Sequence, residues 1–209
     1  TDNQLHNIKY LRQRTKGLGI ALTTAATNIK RNSKKFDDYR PLILDKARPS
    51  ILGTEGNIAR IYWQAVGNSL PRQYRFNGRS RQPAKDNFNA ALNYMYGMLY
   101  TVVEGAVFAA GLDPHLGLLH VDAHNKPTLT FDLIEPFRPW IDHLLIKACF
   151  DQELENKFFS KNQYGIFFNK TGKAFIIPLF NDFMRSKRTY LGQESTVKNH
   201  IYFLAASLA

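Results

Sequence analysis

The sequence predicts a mainly α-helical domain with one small β-hairpin accessory, and three patterns carry that expectation. Apolar residues recur at i, i+3 and i+4 through residues 86–110, and four other stretches repeat the period. β-prone residues gather in one passage only, residues 164–178. In chain order, residues 18–30 read as a weaker helix rich in Ala and Thr, and residues 55–66 as a helix with Ile58, Tyr62 and Val66 on one face. Residues 70–83 read as a loop, because Pro71, Gly78 and Pro83 punctuate a polar, basic run. The helix at 86–110 carries Phe88, Leu92, Met95, Leu99, Val102, Val103 and Ala106 on its apolar stripe. Asp86 suits its N-cap, and Gly111 followed by Asp113-Pro114 closes it. Residues 136–150 and 195–209 show the same periodicity. The hairpin is expected from runs at 164–168 and 174–178 around the Gly172-containing turn at 169–173.

Composition narrows the function. The chain has 209 residues, with 28 Lys and Arg against 17 Asp and Glu, so a surplus of eleven positive charges favours association with a polyanion. Hydrophobic content of 44% and aromatic content of 13% fit a folded globule and not a disordered chain. Even the apolar pattern of residues 141–150 is interrupted by Asp142, His143 and Lys147, so no membrane span is expected. No signal peptide is visible at Thr1-Asp2-Asn3-Gln4, and a reducing, cytoplasmic setting is the expectation. The single cysteine, Cys149, excludes an intrachain disulfide and a thiolate zinc cluster, and its apolar setting predicts an inert core residue. There is no phosphate-binding glycine loop and no Gly-x-Ser-x-Gly elbow.

Four residues stand out as candidates for metal-assisted chemistry: Glu55, His120, Asp132 and Glu135. Two or three carboxylates and one imidazole make a hard donor set suited to Mg²⁺ or Mn²⁺. Each also has a plain structural reading. Glu55 lies early in a helix, where a carboxylate is favoured by the dipole. His120 follows apolar residues, as a satisfied core histidine would. Asp132 and Glu135 have the spacing of a helix N-cap with its reciprocal Glu, although Pro136 directly after them fits that poorly. The three-residue spacing would also put both carboxylates on one helical face. His115, His124 and His143 have no zinc-motif spacing.

A basic loop is the candidate nucleic-acid surface. Arg72, Arg75, Arg79, Arg81 and Lys85 crowd it together with Tyr74 and Phe76. Arginines neutralising phosphates and aromatics stacking on bases would suit frayed or single-stranded DNA ends; a solvated, mobile loop is the alternative. Lys30, Arg31, Lys34 and Lys35, and separately Arg185, Lys187 and Arg188, are less specific clusters. Arg138 has two readings, pairing with Glu135 or touching a phosphate.

Taken in order, Gly53-x-Glu55-Gly56-x-x-Ala59-x-x-Tyr62-Trp63, then Arg81-x-Pro83-x-x-Asp86-x-x-Asn89-Ala90-Ala91-Leu92, then Gly111-Leu112-Asp113-Pro114-x-x-Gly117-x-x-His120, then Phe131-Asp132-Leu133-x-Glu135-x-x-Arg138-Pro139 resemble the CRISPR-associated spacer integrase. The resemblance is strongest over residues 55–142. It implies the family's helical catalytic domain, with a divalent metal held by Glu55, His120 and Glu135, and Asp132 beside them. Glu135 departs from several relatives, which have Asp there. It further implies insertion of captured DNA fragments (spacers) at the repeats of a CRISPR array by 3′-hydroxyl attack on a phosphodiester. The implied partners are DNA, a second copy in a homodimer and a small ferredoxin-like adaptation subunit; some relatives are fused to a reverse transcriptase. The family's N-terminal β-rich domain has no match before Glu55. The expected organisation is therefore residues 1–50 as linker and first helices and residues 51–209 as the catalytic domain, one domain overall, an excised piece. A dedicated structure-specific nuclease would use the same residues, and a non-catalytic helical DNA-binding module would use the carboxylates only as caps and ion pairs.

Overall fold

The computed structural model describes residues 1–81, 83–119 and 126–209. The order of elements is α1 (Asp2–Arg14), α2 (Gly19–Ser33), α3 (Lys35–Tyr39), α4 (Leu44–Ser69), α5 (Asn87–Ala109), α6 (Thr128–Ile134), α7 (Arg138–Phe150), β1 (Phe159–Asn162), β2 (Gly165–Phe168), α8 (Lys170–Arg185), β3 (Lys187–Tyr190), β4 (Gln193–Thr196) and α9 (Val197–Ala206). Short 3-10 turns occupy Arg72–Tyr74 and Asn156–Phe158. The fold is mainly α, as the periodicity requires, and no described helix is long and apolar enough to cross a membrane.

α5 is the spine. Its N-cap is Asp86, whose Oδ1 accepts from the Asn89 amide at 2.7 Å. At the other end Gly111 adopts φ 72°, and the amides of Gly111 and Leu112 return to the carbonyls of Phe108 and Val107. Between the caps Phe88, Ala91, Leu92, Met95, Leu99, Val103 and Val107 are fully enclosed, with α6, α7, α9 and β2 packed around them. α4 lies across the same core through Ile58, Tyr62 and Val66, one turn apart. It begins eleven residues before Glu55 and runs through Pro49 and across residue 50 without a break. Ile8 and Leu11 of α1 and Leu22 and Ile29 of α2 join that single core, as does Cys149, whose thiol burial pushes well up.

The β structure departs from expectation. Gly165–Phe168 is a strand, but it pairs antiparallel with Phe159–Asn162 upstream. Residues 174–178 belong to α8. Asn169 caps α8 by accepting from the Gly172 amide at 2.9 Å, and Ile176, Phe180 and Phe183 then bury one helical face. Gly172 is the hinge of this correction: a Cβ there would lie 2.3 Å from the Phe168 ring and 2.4 Å from the Phe158 carbonyl oxygen. A second hairpin, β3–β4, turns through Leu191 and Gly192, both at positive φ, the geometry of a type I′ turn. Its strands are polar and give no alternating apolar signal.

Candidate active site in the α4–α5–α6 cleft

An open cleft of about 2160 Å³ runs between α4, the segment before α5, and the α6–α7 junction. Glu55, Asp132 and Glu135 line it, and so do Arg79, Arg81 and Arg138. Glu55 lies one turn before Ile58 on the same face of α4; Ile58 is buried in the core, Glu55 is half-buried, and both line the cleft. His120 and His124 lie outside the described residues. Among the described residues, no three His, Cys, Asp or Glu side chains are grouped to hold a metal ion. Two carboxylates, Glu55 and Glu135, on the walls of one cleft nonetheless fit the donor chemistry of a hard divalent cation.

Asp132 is not a helix N-cap. It sits inside α6, which starts at Thr128, and its Oδ2 accepts from the backbone amides of Leu118 and Leu119 at 2.6 and 2.8 Å. Two charge-assisted bonds from consecutive amides fix the segment that leads directly into His120. Pro136 falls in the break between α6 and α7, which resolves its poor fit to a continuous helix. Glu135, at the C-cap of α6, pairs with Arg138 in the first turn of α7.

The basic loop is anchored to the core through its aromatic residues while most of its basic side chains stay exposed. Tyr74 and Phe76 are 5% and 8% exposed, and Phe76 stacks on Phe88 with ring centroids 4.6 Å apart. The expectation that these two rings stack on bases is therefore corrected: they are core residues. Gly67 makes room for Phe76, since a Cβ there would lie 2.5 Å from the Phe76 carbonyl oxygen. Arg79 is half-buried. Its guanidinium donates to the side-chain oxygens of Asn89 and Asn93, one turn apart on α5, and lies 5.3 Å from the Trp63 ring centroid. The same asparagines hold the backbone of this segment, Asn89 donating to the Gly78 carbonyl and Asn93 to that of Ser80, each at 3.1 Å. Arg72, Arg75, Arg81 and Lys85 are exposed; of these only Arg81 lines the cleft.

Sequence reasoning missed Asp142. It is 2% exposed, lines the cleft floor, and accepts from the Tyr96 hydroxyl at 2.5 Å. Burial pushes its carboxyl up to about 7, against the opposing pull of Tyr96, Tyr62, Arg79 and Arg138. Behind it, Asn7 of α1 donates to the Tyr62 hydroxyl and to the Pro139 carbonyl, both at 2.8 Å. The Asn7 oxygen is then left to accept from His143 Nδ1 at 3.1 Å. Burial and the neighbouring His6 draw the His143 imidazole down to about 4. The available signal was the single carboxylate in the apolar run of α7.

These features define a class: a basic helical domain whose cleft sets carboxylates beside guanidinium groups. The chain belongs to the family described as CRISPR associated protein Cas1, whose model matches residues 1–182. It is 32% identical over 166 residues to the CRISPR-associated endonuclease Cas1 1 of Archaeoglobus fulgidus, covering 76% of this chain and 48% of that protein. Among solved structures, a casposase bound to integration product superposes with a TM-score of 0.78 at 28% identity, over 99% of this chain and 56% of that one. A Cas6-RT-Cas1–Cas2 complex shares the fold, with a TM-score of 0.81 at 23% identity over 99% of this chain and 22% of that one. The chain spans about half the length of the curated relatives it matches.

Proposed function

We propose that this chain is the catalytic domain of a metal-dependent DNA integrase that inserts captured fragments into a CRISPR array. The observation that supports this best is the cleft itself: Glu55, Asp132 and Glu135 share it with Arg79 and Arg138 on a strongly basic scaffold of the Cas1 family. Glu55 and Glu135, with His120, would hold Mg²⁺ or Mn²⁺. When bound there, such an ion supplies charge stabilisation for the oxygens of the attacked phosphodiester. Asp132 keeps the backbone before His120 in place. Arg79 and Arg138 hold phosphate, and the exposed Arg72, Arg75, Arg81 and Lys85 extend the DNA path along the surface. A fragment's 3′-hydroxyl attacks the target phosphodiester in line, forming the new P–O bond as the old one breaks, with the displaced oxygen leaving on the cut strand.

The proposed assembly is a homodimer with a small ferredoxin-like subunit, acting on DNA in a prokaryotic cytoplasm; a fusion to a reverse transcriptase fits the same frame. Glu55→Gln and Glu135→Gln test the reading. Each should abolish joining of a labelled fragment to a branched target in Mn²⁺ while leaving duplex affinity nearly intact, because affinity comes mostly from phosphate contacts elsewhere. Full turnover in either variant would remove that residue from the metal site. Cleavage without joining by the unaltered protein would indicate a nuclease instead.

A further inference from the structure

We propose that Tyr96 and Asp142 form a positioning unit that aims Arg79 and Arg138 together at one phosphate of the bound DNA; this rests on the DNA reading above. The Tyr96 ring is shared. The Arg79 guanidinium carbon lies 5.6 Å from its centroid and that of Arg138 lies 5.3 Å from it. The hydroxyl of the same ring is tied to Asp142 at 2.5 Å, which fixes the ring's orientation from below. Burial keeps the Tyr96 phenol firmly protonated, so it remains the donor in that bond. Asp142 is in turn flanked by Tyr62, which Asn7 holds from α1.

The two guanidinium groups are held differently. Arg138 pairs with Glu135, yet its Nε is buried and has no hydrogen-bond partner among the described residues. The hydrogen-bond partners described for Arg79 are neutral: Asn89, Asn93 and the Ser80 carbonyl. Burial lowers the Arg79 guanidinium from its usual range, and the nearby positive charges of Arg81 and Arg138 act in the same direction. Two cations gathered on one aromatic face, at the wall of an open cleft, with a single buried carboxylate beneath both, are complementary to an anion arriving from the cleft side. A phosphodiester is the anion that the proposed substrate brings. Tyr96 and Asp142 do not touch it; they act through the arginines.

The test uses a substitution that removes no charge. Affinity of the full chain for a branched DNA is measured against salt for wild type, Tyr96→Phe, Arg79→Ala/Arg138→Ala, and the triple variant, with thermal melts confirming the fold. Tyr96→Phe keeps the ring and its volume but cuts the bond to Asp142. It should lower the slope of log K against log salt by roughly 0.7–0.9, the signature of one lost phosphate contact. In the Arg79→Ala/Arg138→Ala background it should change the slope no further. A wild-type slope in folded Tyr96→Phe, or an added loss in the triple variant, would overturn the proposal. A second measurement needs no variant: phenylglyoxal modification of Arg79 and Arg138, read by peptide mass spectrometry, should slow for both together when DNA is added. Unchanged modification of the pair would overturn the proposal too. If wild type shows salt-independent affinity, the DNA reading itself fails, and this inference with it.

Discussion

Replacing Asp142 by Asn should stabilise the fold in a way that grows with pH. A carboxyl whose proton is held more tightly in the folded state than in the unfolded chain favours folding at low pH. Its contribution is fully present below the unfolded value of 3.8 and is lost as pH rises through about 7. The interval of roughly three units, at 1.36 kcal/mol per unit, amounts to about 4 kcal/mol. His143 works in the opposite sense: its imidazole falls from 6.5 to about 4 on folding, so its contribution is present above 6.5 and lost as pH drops to about 4. The two slopes nearly cancel in the wild-type chain, which hides both. Asp142→Asn preserves the volume and an acceptor oxygen for Tyr96 while removing the titration. Urea unfolding of both chains at pH 4.5, 5.5, 6.5 and 7.5 reads the difference directly. The variant's advantage should rise by about 1.4 kcal/mol per pH unit up to pH 6.5 and level off above pH 7.5. A difference that stays constant over that range would mean that Asp142 ionises as an ordinary carboxylate, and that its burial has been misjudged.

Phe76→Ala should cost about 3–5 kcal/mol in urea unfolding, since it removes a buried ring stacked on Phe88; a cost below about 1 kcal/mol would return Phe76 to the surface. Asp132→Asn should speed hydrogen exchange at the amides of Leu118 and Leu119 specifically and weaken strand transfer while sparing DNA affinity; unchanged exchange there would refute the anchoring role. Arg72→Ala and Arg81→Ala should each lower the salt slope of DNA binding by roughly 0.7–0.9 without moving the melting temperature. Arg79→Ala should lower both, because Asn89 and Asn93 lose the group that they hold; an unaltered melting temperature would make Arg79 an ordinary surface arginine.

The parts of the fold legible in the sequence are those whose local signals agree with their packing. α5 is the clearest, with Asp86 at one end, Gly111 at the other and an unbroken apolar period between. Residues 174–178 read as a strand because they are β-prone in isolation, whereas the Asn169 cap and the close approach of Gly172 to Phe158 and Phe168 commit them to a helix. β3 and β4 were illegible because their exposed residues carry no apolar alternation. In the cleft, motif order pointed to Glu55, Asp132 and Glu135, and the structure places all three on its walls. The role of Asp132 toward backbone amides depends on a segment fourteen residues away and has no sequence signature. Tyr74 and Phe76 look like stacking residues among arginines, but both are buried, Phe76 between Gly67 and the Phe88 ring.

Joining of a labelled DNA fragment to a repeat-containing duplex by the purified protein in Mn²⁺ tests the proposed chemistry most directly. Fragments ending in a 3′-hydroxyl are compared with fragments lacking it. Metal-dependent 3′-hydroxyl attack predicts a covalently joined product from the first alone, and none in excess EDTA. Joined product from the end lacking its hydroxyl, or equal product in EDTA, would contradict it.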